Sequence, residues 1–100
     1  MTNAEREIFL AAINKYGSRA QITMLFEEMA ELQDALCKYL RGRDVNPRHI
    51  AEETADVGIM LDQIGILFGI EDVVAEQRGF KVKRLRERIE DNGGVDNDGK

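Results

Sequence analysis

The sequence has no tryptophan, one cysteine and one proline among its 100 residues, and no stretch that approaches 18 apolar residues. Each shortage excludes something. A lone Cys37 cannot form an intramolecular disulfide, which fits a reducing compartment. Without a long apolar run, no membrane span is expected. The opening MTNAEREIFL carries acids and lacks the apolar stretch of a secretory signal, so cytoplasm is the expected compartment. Positive charge is also short. The 14 Lys and Arg stand against 19 Asp and Glu, a net charge of -5. Phosphate backbones need a basic face, so general nucleic-acid binding is not expected. With no Trp, no strong stacking platform for a base announces itself.

Because Pro47 is the only proline, long segments run without a breaker and favour helices. Strand-period alternation and internal repeats are both lacking. What is present is 43% hydrophobic and 33% charged residues, an ordinary mixture for a globular domain. The length suits one domain with a small core, which a second copy would help to complete. The expectation is an all-α four-helix domain over residues 1–91, completed by association with a second copy, with a flexible polar tail over residues 92–100.

The first helix is expected from Asn3 to Tyr16, stopped at Gly17, with Ile8, Phe9, Ala12 and Ile13 at helical spacing. Ser18 is a candidate cap for the second, which runs to about Arg41. Its apolar stripe is Ile22, Leu25, Phe26, Met29, Leu32, Leu36 and Leu40. Residues 42–45 are a loop. Asn46-Pro47 reads as a cap followed by proline at the first helical position, opening a third helix to Phe68, stopped at Gly69. Ile50, Val57, Met60, Ile64 and Leu67 form its stripe. Gly58 and Gly65 lie inside it, where close packing against another helix would offset their low helix propensity. Glu71 and Asp72 suit the start of a fourth helix to about Glu90, with a bend expected near Gly79. Phe9, Phe26, Phe68 and Phe80 are read as core.

Against this frame the acids stand out. On a helical wheel Glu53 falls near the centre of the third helix's apolar stripe, with Asp56 at its edge, about 60° away. Glu28 and Glu31 lie together on one flank of the second helix's stripe. Each pair is spaced i, i+3, so its carboxylates project the same way. Converging carboxylates need a positive partner, because burying an ionised carboxylate alone is costly. Oxygen-only donors suit a hard cation such as Mg²⁺ or Mn²⁺, held between facing helices. The plain alternative is a solvated acidic face.

The pattern Glu27-Glu28-Met29-Ala30-Glu31, a spacer of 21 residues, then Glu53-Thr54-Ala55-Asp56 resembles that of the MazG-like all-α nucleoside triphosphate pyrophosphohydrolases. The flanking ALCKYLRGR and EETADVGIMLDQI are similar to that group as well, and the likeness covers roughly residues 20 to 90. The resemblance implies a four-helix core, homodimeric or homotetrameric, and Mg²⁺-dependent hydrolysis of an NTP or dNTP between the α- and β-phosphates. It implies Glu28, Glu31, Glu53 and Asp56 as metal ligands. Glu27, Glu28 and Glu53 are the implied catalytic group, with a second metal or the attacking water as roles open to Glu27.

Lys81, Arg84 and Arg88 share one face of the fourth helix at i, i+3, i+7 and are candidate phosphate-binding cations. Their plain alternative is a solvated face paired with Glu87 and Glu90. His49 sits one turn before Glu53 and could contact substrate or be a surface histidine at a helix start. Three functions compete: a metal-dependent pyrophosphohydrolase, with a phosphoribosyl-ATP branch as one variant; a fold that binds nucleotide without turnover; and a non-enzymatic helical interaction module. The phosphoribosyl-ATP branch usually has a histidine soon after E-x-x-D, whereas Asp56 is followed here by Val-Gly-Ile-Met-Leu-Asp.

Overall fold

In the computed structural model, residues 1–91 are described and all of their regular structure is helical. The expected tail, residues 92–100, lies outside the described residues. The helices are α1 (Asn3–Tyr16), α2 (Ser18–Leu40), α3 (Pro47–Phe68) and α4 (Glu71–Glu90). None is long and apolar enough to cross a membrane.

Local signals account for most boundaries. Thr2 and Glu5 form a capping box at the start of α1. The Glu5 amide donates to Thr2 Oγ1 at 3.1 Å, and the Thr2 amide donates to Glu5 Oε1 at 2.8 Å. Gly17, at φ 90°, ends α1 and precedes α2 directly. Ser18 is therefore the first residue of α2 and not its cap; Gly17 occupies the cap position and has no side chain to offer. Asn46 does cap α3, its Oδ1 accepting from the Arg48 amide at 2.9 Å, and Pro47 follows in the first turn. Gly69 closes α3 in the left-handed conformation, φ 62° and ψ 37°, which costs glycine little. α4 runs through Gly79 without interruption.

The chain divides into two compact units, Met1–Gly69 and Ile70–Lys100. In the first, α2 and α3 are the main packed pair and α1 rests on both. Their contact is antiparallel. Gln21 is bonded to Gln63, and Glu31 lies against Glu53. The buried apolar residues are few: Phe9, Leu25, Ala35 and Met60. Beside them lie three buried polar side chains, Gln21, Glu53 and Gln63.

The α2 seam is Gln21, Leu25, Glu28, Leu32 and Ala35, at alternating steps of four and three residues. That is the narrow contact line of two paired helices. The expected apolar stripe of α2 is wider than this line, and the difference corrects several readings. Phe26, Met29, Leu36 and Leu40 are exposed, Phe26 at 62% and Leu40 at 81%. Of the four phenylalanines expected in the core, only Phe9 is buried. Phe26 and Phe68 lie outside the arcs of α2 and α3 that neighbouring helices cover, and Phe80 is on α4, none of whose residues is buried. Gly65 is buried, but a Cβ on Gly58 would meet open space, so close packing does not explain Gly58.

The second unit contains α4, none of whose residues is buried. Val73, Val74, Phe80, Val82, Leu85 and Ile89 are all exposed on it. The ion pair from Arg86 Nε to Glu90 Oε2, 3.1 Å and one turn apart, lies on its surface.

The loop over residues 41–46 sets where α3 begins against α2, so its cap should be measurable. Asn46→Ala is expected to cost about 1 kcal/mol of stability, and thus lower Tm by about 4–8 °C. Thermal denaturation followed by circular dichroism checks this; an unchanged Tm would mean that the Arg48 amide is satisfied without the side chain.

Candidate functional site

The antiparallel seam brings carboxylates together across it. From the Gln21–Gln63 pair, seven residues forward on α2 and seven back on α3 reach Glu28 and Asp56. Three more reach Glu31 and Glu53. The i, i+3 spacing within each helix turns both members of each pair to the same side. Antiparallel packing then sets one pair against the other. Four acids separated by up to 28 positions in sequence thus act on one another.

Glu53 is the innermost, with 7% of its surface exposed. Burial raises its pKa above the ordinary value of 4.5. The hydrogen bond with Glu31, the Glu31 charge and the Asp56 charge raise it further, while His49 opposes them. Glu28 is half-buried and its pKa is also raised. Burial is the first cause, followed by the charges of Asp56, Glu31 and Glu53. Asp56 is half-buried, and the Glu31 side chain reaches the group from an exposed position. Each of the four was identified by wheel position, and all four belong to one electrostatic cluster.

Beside the cluster lies an open cleft of ≈ 370 Å³, lined by Ala30, Glu31, Asp34, His49 and Glu53. Ala30 leaves the space that a larger side chain would fill. Asp34 is bonded to Lys38 at 3.0 Å, and that bond and charge lower its pKa. Asp34 thus stays ionised on the cleft wall. His49 stands at the rim, its Nδ1 3.9 Å from Glu52 Oε1. Sequence reading missed Asp34, although a signal existed: it lies three residues beyond Glu31, so it extends the same helical row by one turn.

Other candidates are placed apart from this cluster or belong to the other unit. Glu27 is exposed on α2. Lys81, Arg84 and Arg88 are exposed on α4, in the second unit. Lys38 is exposed and paired with Asp34.

Among the described residues, no three His, Cys, Asp or Glu side chains are gathered closely enough to grip an ion. The chemistry of the donor set nevertheless fits a hard divalent cation. Its groups are oxygen donors, one is buried, and their mutual charges push the pKa of Glu28 and of Glu53 upward. A dication would compete with protons for the same oxygens.

No family model matches the chain, and no curated protein or solved structure matches it either.

The raised carboxyls predict a definite pH dependence. A group whose pKa is higher folded than unfolded binds more protons when folded, so its contribution favours the folded state at low pH. That contribution is lost as pH rises from about 4.5 to the raised folded value. Above this window the Glu53 charge is a liability to the metal-free protein. Glu53→Gln should therefore raise the Tm of metal-free protein at pH 8 by several degrees, with a smaller gain at pH 4. Equal gains at the two pH values, or a loss at both, would contradict the charge-based account.

Proposed function

We propose that the protein is a Mg²⁺-dependent nucleoside triphosphate pyrophosphohydrolase, cleaving an NTP or dNTP between the α- and β-phosphates to the monophosphate and pyrophosphate. The observation that carries this reading is the single cluster of Glu28, Glu31, Glu53 and Asp56 beside an open cleft. The resemblance of its two-part motif to the MazG-like group supports it.

Glu28, Glu31, Glu53 and Asp56 would hold the cation, with Mn²⁺ as an alternative to Mg²⁺. The chemistry supplied by a cation held there would be neutralisation of phosphate charge and acidification of a water. The chain's own work is positioning and electrostatics. Buried Glu53 has little freedom to move, so it fixes one side of the donor set. Half-buried Glu28 would contribute from α2. Glu27, next to Glu28, is exposed and apart from the cluster; holding a second metal or orienting the attacking water are the roles open to it. The phosphate-binding role of Lys81, Arg84 and Arg88 rests on their shared face of α4 alone. The cleft walls formed by Ala30, Asp34 and His49 give room for part of the nucleotide.

Assembly belongs to the same proposal. Phe26, Tyr39, Leu40 and Phe68 are exposed on the first unit, and Phe80 and Ile89 on the second. Isolated exposed apolar residues are ordinary, but this many for four buried apolar residues is an imbalance. A homodimer or homotetramer would correct it.

The same apolar surface favours a second reading, a non-enzymatic helical module whose partner is another protein. Turnover separates the two. A panel of canonical and modified NTPs and dNTPs, with and without Mg²⁺ or Mn²⁺, is expected to yield metal-dependent pyrophosphate and monophosphate from at least one member. Glu53→Gln should abolish that release without loss of folding. A variant that keeps full turnover would remove Glu53 from the proposed ligand set. No product from any member, and no stabilisation of the wild type by metal, would favour the interaction module.

Sedimentation at micromolar protein should give a dimer or tetramer. A strictly monomeric species would mean that the apolar surface belongs to another partner.

A further inference from the structure

Two glutamines are buried where the seam has room for apolar residues. Gln21 is 7% exposed and Gln63 4%. The Gln21 amide donates from Nε2 to Gln63 Oε1 at 2.8 Å, and Gln63 Nε2 points to Met60 Sδ at 3.7 Å. Leu or Met at both positions would continue the seam without any polar group to satisfy. A buried amide is costly when its partner moves away, whereas apolar side chains tolerate new neighbours. A polar pair therefore favours one alignment of two helices over the others.

This seam has particular need of such a device. Its repeating steps of four and three residues make shifted alignments comparable in packing. Its acids face one another across the contact, Glu28 against Asp56 and Glu31 against Glu53, and wherever both members are charged they repel. The loop over residues 41–46 holds one end of the pair. The glutamines are at the other end, about 10 Å from the Glu28/Asp56 level and about 15 Å from the Glu31/Glu53 level at helical rise. The acid rows lie between these two fixed points.

We infer that Gln21 and Gln63 are positioning residues, a hydrogen-bonded clamp that holds α2 and α3 in the alignment that sets Glu28 and Glu31 against Asp56 and Glu53. The importance of that alignment for cation binding rests on the reading in the preceding subsection; the alignment itself does not.

The test replaces both glutamines by methionine, close in length and lacking the amide. Spin labels are placed at Gln33→Cys and Ala51→Cys, both exposed and on opposite helices at the acid level, in a Cys37→Ser background diluted with unlabelled chain. The wild-type pair should give one narrow interspin distance without metal. Gln21→Met with Gln63→Met should keep its helix content and Tm, yet broaden or shift that distance by on the order of one helical turn, about 5 Å. Mn²⁺ affinity should fall about 10-fold to 100-fold, as when a group that orients a ligand is lost. Gln63→Glu, which keeps an acceptor for the Gln21 amide, should retain the narrow distance. An unchanged distance in the double variant overturns the inference, whatever happens to Mn²⁺ affinity. A shift in Gln63→Glu as large as in the double variant overturns it too. If the double variant shifts but wild-type protein binds no Mn²⁺, the clamp stands and the cation reading fails.

Discussion

The constraint on which the rest depends is the meeting of like charges inside the α2–α3 contact. Two carboxylates from each helix approach across the seam, and the innermost, Glu53, is almost wholly removed from water. Bringing them there costs free energy twice, once in desolvation and once in repulsion. Protonation would relieve part of that cost, and the pKa values of Glu28 and Glu53 are raised in that direction. A helix pair selected only for stability would put leucine at these positions. The seam instead carries groups that favour separation of the two helices, and the remaining contacts must outweigh them.

Those contacts are modest. Leu25, Ala35 and Met60 supply the buried apolar surface of the pair, and Phe9 brings α1 against it. The loop end is fixed by the Asn46 cap and Pro47, and the far end by the two glutamines. Helix ends and polar pairs thus bear a large share of the positioning that a larger core would otherwise provide. This is why a cap 7 residues from Glu53 in sequence matters to the site: it decides where the row containing Glu53 and Asp56 begins.

The helices were legible because their boundaries rest on local chemistry. Gly17, Asn46-Pro47 and Gly69 act within one turn of themselves, and the observed ends fall on them. The burial of Glu53 was legible for a related reason: a helical wheel needs only the residues of one helix. The exposure of Phe26, Phe68 and Phe80 was not legible in this way. Whether an apolar residue beside a stripe is covered depends on how many helices face it, which no single-helix pattern contains. Gln21 and Gln63 escaped notice because polar residues were sought as acids and cations. Their signal was the seven-residue step that separates Gln21 from Glu28 and Asp56 from Gln63, visible only once the two helices are laid antiparallel.

A small core and a repulsive seam together make stability depend on what binds. A ligand that prefers the folded state stabilises it in proportion to the logarithm of its concentration over its dissociation constant. A dication at the acid cluster would both add that term and remove the repulsion that opposes the fold. A second copy over the exposed apolar surface would act in the same direction. The arrangement that weakens the isolated chain is therefore the one that lets a bound cation or a partner copy change its stability most. Replacing the acids by apolar residues would strengthen the free protein and erase that response, so the cost of Glu53 is inseparable from the chemistry assigned to it.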